Sequence, residues 1–117
     1  MNLFICYPKC STCQKAKKYL ESNNIEFTER DIKTSNPTKD ELSTWYKLSK
    51  QPLKKFFNTS GLLYKELGLK DKLPSMTEDE MLDILSTNGM LVKRPLLVND
   101  SMVVIGFSEM DYQNLKV

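Results

Sequence analysis

Leu3-Phe4-Ile5-Cys6-Tyr7-Pro8-Lys9-Cys10-Ser11-Thr12-Cys13 places two of its three thiols, Cys10 and Cys13, with two residues between them at the junction of a short apolar run and a helical pattern. Leu3 to Tyr7 reads as a buried strand and Pro8-Lys9 as a turn. Ser11 to Ser22 reads as a helix that puts Cys13, Ala16, Tyr19 and Leu20 on one face. Cys10 then stands at the helix start, where unpaired backbone N–H groups and the helix dipole favour an anion, and Lys9 and Lys15 add positive charge nearby. The expectation is a stabilised Cys10 thiolate that attacks first. Cys13, about one turn along and deeper in the helix, suits the resolving thiol. A zinc site would take about four nitrogen or sulfur ligands. The chain has one further cysteine, Cys6, and no histidine. Two unrelated structural cysteines remain an alternative, but the CxxC spacing between strand and helix favours a redox pair. Cys6 alternates inside the first strand and reads as a small buried hydrophobe.

A chain of 117 residues is expected to form one domain, spanning 1–117, around a single modest core. Three cysteines cannot make a fully paired extracellular framework. The N-terminus runs straight into the first strand with no basic leader or apolar h-region, and no stretch is long enough to span a membrane. A reducing cytoplasm is the expected location, where CxxC serves chemistry or regulation and not stapling. Seventeen Lys and Arg against fifteen Asp and Glu leave a net charge of +2, too little to imply direct nucleic-acid binding. Lys47, Lys50, Lys54 and Lys55 cluster in one segment and Glu78, Asp79, Glu80 and Asp83 in another, as solvated helix faces do. Arg30 and Arg94 are the only arginines.

Outward from the first helix, Ile25 to Ile32 reads as a second strand, which completes a right-handed βαβ unit with parallel strands. Thr38 with Glu41, and again Thr77 with Glu80, form capping boxes. The first opens a helix bearing Leu42, Trp45, Tyr46 and Leu48. The second opens one bearing Met81, Leu82, Ile84 and Leu85, which Asn88-Gly89 is expected to end with a left-handed residue. Between them, Pro52 allows a start before Leu53, Phe56 and Phe57, and a short run carrying Leu62, Leu63 and Leu67 enters Gly68. Aromatic and methionine residues here read as core. Leu96-Leu97-Val98 and Met102 to Ile105 across Asn99-Asp100-Ser101 read as a β-hairpin, and Ser108 caps a last helix toward Leu115. A helical insert, about 38–89, thus separates a βαβ half from a ββα half.

This order, with CxxC opening the first helix and Pro95 just before the third strand, resembles the thioredoxin superfamily, whose matching proline is cis and faces the redox cysteines. The resemblance narrows to the arsenate reductase-like family that includes ArsC, YffB and the Spx and MgsR regulators. It covers essentially the whole chain. Its markers are Tyr7 to Cys13, Phe56-Phe57-Asn58-Thr59-Ser60, Tyr64-Lys65-Glu66-Leu67-Gly68-Leu69, Lys93-Arg94-Pro95 and Gly106-Phe107-Ser108-Glu109. It implies an α/β, thioredoxin-like fold with a helical insert. Arsenate reductases of this family hold the oxyanion with three arginines around one cysteine and are recycled by glutathione and glutaredoxin. Arg94 matches one of the three, while Asn58 and Gly106 stand where the others are expected. Asparagine and glycine cannot supply the bidentate clamp that guanidinium gives a tetrahedral oxyanion. The Spx regulators contact the RNA polymerase alpha subunit through a glycine where Pro52 stands here, and carry a charged tail beyond the point where this sequence stops at Val117. The missing glycine argues against that partner and leaves another open.

The leading expectation is therefore a cytosolic thiol–disulfide oxidoreductase forming a Cys10–Cys13 disulfide, with no bound cofactor or metal. Lys9 and Arg94 would hold the thiolate or an anionic substrate group such as a glutathione carboxylate, and Pro95 would shape the site. Glutathione or a glutaredoxin or thioredoxin system would act as reductant. The alternatives are an Spx/MgsR-like redox-sensing regulator, whose oxidation alters a face of the insert, and a glutaredoxin-dependent arsenate reductase.

Overall fold

The computed structural model describes residues 2–115. Strand β1 is Leu3–Cys6, and helix α1 is Ser11–Ser22 as the apolar spacing predicts, with Cys13, Ala16 and Leu20 buried. Tyr19, expected on the same face, is half-buried. The second strand, β2, is shorter than expected, covering Thr28–Asp31. The residues missing from its start follow the turn that ends α1, and the first of them, Ile25, is tied back to that helix. Asn24 is left-handed at φ 55° and the Ile25 N–H reaches back to the Leu20 carbonyl at 2.9 Å, which closes the helix before extended backbone can begin.

Helix α2, Lys39–Ser49, opens on the complete Thr38/Glu41 capping box. A 3-10 helix at Leu53–Phe56 follows Pro52, and α3 (Leu62–Glu66) and α4 (Leu69–Lys72) flank the left-handed Gly68. Helix α5, Glu78–Leu85, opens on the Thr77/Glu80 box. Its end departs from expectation, because Ser86 caps it in ordinary helical geometry and Asn88 lies at φ −159°. Gly89 is needed for closeness instead of handedness. A Cβ built there would sit 1.7 Å from the Ile32 carbonyl oxygen, a separation no side chain survives. Strands β3 (Leu96–Val98) and β4 (Val103–Ile105) then form the hairpin, and Ser108 caps α6, Glu109–Gln113.

The four strands lie in the order β2-β1-β3-β4, with β1 parallel to β2 and antiparallel to β3. With the Arg94–Pro95 peptide cis, this is the α/β, thioredoxin-like architecture that the sequence pattern implies. Alternation in β1 divides the interior. Ile5, Leu96 and Val98 face the insert, packing with Trp45, Phe56, Phe57, Leu85 and Leu91. Phe4, Cys6, Leu97 and Val104 face the other way, onto Cys13, Ala16, Leu20 and Tyr112 of α1 and α6. Each fully buried large side chain contributes about 1.5–3 kcal/mol. Arg30, spare in the sequence, is fixed by a bidentate contact to Glu41 at 2.7 and 2.9 Å and by the carbonyls of Ser35 and Asn36.

Candidate active site

The loop from β1 to α1 is a tight turn. The Cys10 N–H bonds the Tyr7 carbonyl at 2.9 Å, and the Gln14 amide bonds the Pro8 carbonyl at 2.7 Å, so the helix start is pinned to the strand end. Cys10 is the N-cap residue, half-buried, and its side chain makes no capping bond. Cys13 lies behind it with 1% of its surface exposed. All three cysteines are free. Accessibility therefore separates the two thiols in the sense expected: Cys10 is half-buried and Cys13 lies in the interior.

Around Cys13 the donors converge. The neighbouring Cys6 thiol favours its thiolate, and the burial of the site opposes ionisation. The Tyr7 backbone N–H at 3.3 Å, the Cys10 thiol and the Arg94 charge add to the first effect. The net result holds the Cys13 thiol below the ordinary cysteine range. The same contact, together with burial and the Glu29 carboxylate, pushes Cys6 up.

Arg94 stands with its guanidinium carbon 5.2 Å from the centroid of the Tyr7 ring, and Lys33 Nζ lies 6.0 Å from the same centroid. The Arg94 Nε and Nη1 are buried without a hydrogen-bond partner among the described residues. Buried guanidinium donors left open in this way are costly and suit an anionic group. Pro95 is buried at the start of β3, with its carbonyl accepting from the Gly106 N–H at 2.8 Å. Lys9 is the predicted residue that the structure does not gather in: it is exposed on the turn, and no hydrogen bond or ion pair among the described residues joins it to Cys10. Asn58, at the position where the family resemblance places a second arginine, donates from its side-chain amide to the Met90 carbonyl at 3.4 Å. Gly106 adopts φ 79°, a conformation that disfavours any replacement side chain.

Sequence reasoning missed Cys6, Tyr7 and Glu29. Cys6 is buried as expected, but its Sγ lies 3.5 Å from Glu29 Oε2. No local signal announces this, because Glu29 arrives through the pairing of β2 with β1. The Tyr7 contribution is a backbone group, invisible to residue type.

The model of the ArsC family matches residues 6–115. The chain belongs to the ArsC family. A crystal structure of an ArsC-family-related protein from Bacteroides fragilis is 57% identical and superposes with a TM-score of 0.97 over 98% of this chain and 97% of that one. The uncharacterized Bacillus subtilis protein YusI is 50% identical over 110 residues, 94% of this chain and 93% of its own. The Bacillus subtilis regulatory protein MgsR is 33% identical over 105 residues, 90% of this chain and 82% of its own. This ArsC-family chain has no helix among its described residues long and apolar enough to cross a membrane.

Proposed function

We propose that this ArsC-family protein is a cytoplasmic thiol–disulfide oxidoreductase. The observation that carries the reading is the unequal burial of two neighbouring thiols, Cys10 at the surface of a helix start and Cys13 1% exposed among thiolate-stabilising donors. Cys10 attacks a disulfide and forms a mixed disulfide. Cys13 then displaces the bound sulfur from Cys10, forming the Cys10–Cys13 bond and releasing the substrate as a thiol. The open donors of Arg94 take an anionic group of the substrate, such as a glutathione carboxylate, with Lys9 adding charge at the rim and Pro95 shaping the wall. Glutathione, glutaredoxin or thioredoxin returns the pair to dithiol. Arsenate is a poor candidate substrate, since Asn58 and Gly106 leave Arg94 without the two further guanidiniums.

A second reading, a redox-sensing regulator, is favoured by the likeness to MgsR and by a groove of about 510 Å³ with an apolar floor of Phe57 and Ile105 and a rim of Lys54, Lys55 and Lys93. The test is steady-state turnover of a glutathione mixed disulfide and of arsenate, each coupled separately to glutaredoxin and to thioredoxin. Turnover of the disulfide alone is expected. Robust turnover of arsenate overturns the first reading. No turnover of either, with RNA polymerase alpha subunit bound in one redox state only, replaces it with the second.

A further inference from the structure

A thiol sealed from solvent needs a route for its proton if it is to act as a nucleophile. Cys13 is 1% exposed, and at the moment it must attack, the Cys10 sulfur in front of it is joined to substrate. The way out lies behind. Cys6, 2% exposed, lies with Cys13 in one buried cluster, where the two thiols shift each other's ionisation, and its Sγ is 3.5 Å from Glu29 Oε2. Glu29 lies on the sheet edge and is exposed, with its other oxygen, Oε1, 2.9 Å from Lys17 Nζ. The register explains the placement: Phe4 pairs with Glu29 across the parallel strands, and Phe4 and Cys6 share the face toward α1. A continuous line thus runs from the sealed thiol through Cys6 to a carboxylate in water.

We propose that Cys6 and Glu29 form the proton exit of the resolving cysteine, a role that rests on the disulfide-exchange reading above. In the mixed disulfide, the Cys13 S–H donates to Cys6 Sγ and the Cys6 S–H donates to Glu29 Oε2. The Cys13 proton passes to Cys6 while the Cys6 proton passes to Glu29, which releases it to water. Cys6 keeps one proton throughout, its S–H now pointing at the Cys13 thiolate. A Cys13 lone pair then attacks Cys10 Sγ. The Cys10–Cys13 bond forms, the bond from Cys10 to the substrate sulfur breaks, and the departing thiolate takes a proton from water. The two electrons lost by the dithiol are those the substrate disulfide gains.

The strong upward push on Cys6 fits a group that hands protons on without becoming an anion. The other titratable groups around the line are Cys10 and Arg94 on the Cys13 side, Lys17 and beyond it Glu21 on the Glu29 side, and the Tyr112 hydroxyl, buried without a partner.

A symmetrical nitroaromatic disulfide tests this in the full chain, because its first coloured thiolate reports attack by Cys10 and its second reports resolution by Cys13. Both releases are followed across pH for the wild type, Glu29→Gln, Cys6→Ala and Cys6→Ser. Glutamine accepts the Cys6 hydrogen bond but not the proton, so Glu29→Gln should lower the ratio of second to first release rate about tenfold. Cys6→Ala should do the same and move the second-release midpoint upward, and Cys6→Ser, whose hydroxyl both accepts and donates, should recover most of the ratio. An unchanged ratio in Glu29→Gln, whether or not Cys6→Ala folds or slows, overturns the exit and leaves the two-cysteine reading standing. A wild type that shows the first release and never the second overturns both.

Discussion

The two faces of one sheet are built on opposite terms. Toward the insert, Ile5, Leu96 and Val98 meet Trp45, Phe56, Phe57, Leu85 and Leu91, a carbon interior closed at its edge by Arg30–Glu41 and by Lys39 bridging Asp79 and Asp83. Toward α1, Phe4, Cys6, Leu97 and Val104 of the same strands meet Cys13, Ala16, Leu20 and Tyr112, so two thiols enter the interior. The comparison teaches that period-two alternation lets a few strand residues divide stability from chemistry. Both fully buried thiols lie on the second face, while the first buries a phenol of its own at Tyr64.

The division is broken most completely by Cys10→Ser, which should abolish both thiolate releases while leaving urea unfolding nearly unchanged. Its counterpart Cys13→Ser should retain the first release and trap the mixed disulfide, read by mass spectrometry. From the opposite face, Gly89→Ala forces a methyl against the Ile32 carbonyl and should cost about 2–3 kcal/mol in urea unfolding. The ratio of the two release rates in the molecules that still fold should not move. A change in that ratio would mean the faces are coupled.

Arg94→Ala sharpens the contrast at its boundary. Loss of the charge that favours the Cys13 thiolate should move the second-release midpoint up toward the free-cysteine value of about 8.5. It should also raise KM for an anionic disulfide about tenfold relative to a neutral one. The smallest effect belongs to Glu41→Gln. The Arg30 guanidinium holds the Glu41 carboxyl at about 2, below its unfolded value near 4.3. The stability it contributes is therefore present above about pH 4.3 and lost as pH falls toward 2. With the pair partly exposed, the loss at pH 7 should be about 1 kcal/mol by thermal unfolding, and should vanish in acid.

What could be read from the sequence was local. Thr38 with Glu41 and Thr77 with Glu80 lie within one turn of each other, so residue type and spacing suffice, and both boxes form. Cys10 and Cys13 were legible for the same reason, as was the hairpin around Asn99, whose side chain accepts from the N–H groups of Ser101 and Met102. Distant contacts were not. Glu29 reaches Cys6 across 23 positions, and Gly89 is fixed by a carbonyl at Ile32 that no periodicity connects to it. Ile25 shows the intermediate case, where an apolar residue suited to a strand was claimed by the end of the preceding helix.

The close approach of Gly89 to Ile32 is joined by a bond of 2.7 Å from the Asn36 amide to the Ser86 carbonyl, across 50 positions. The segment between leaves and returns at nearly one point, and from there it packs over one face of the sheet against Ile5, Leu96 and Val98. Exchange of this segment between two members of the family adds little loop-closure cost, since its ends already meet. A chimaera cut at these two contacts should fold with the insert of one parent and the cysteines of the other, provided the residues facing Ile5, Leu96 and Val98 keep their volume.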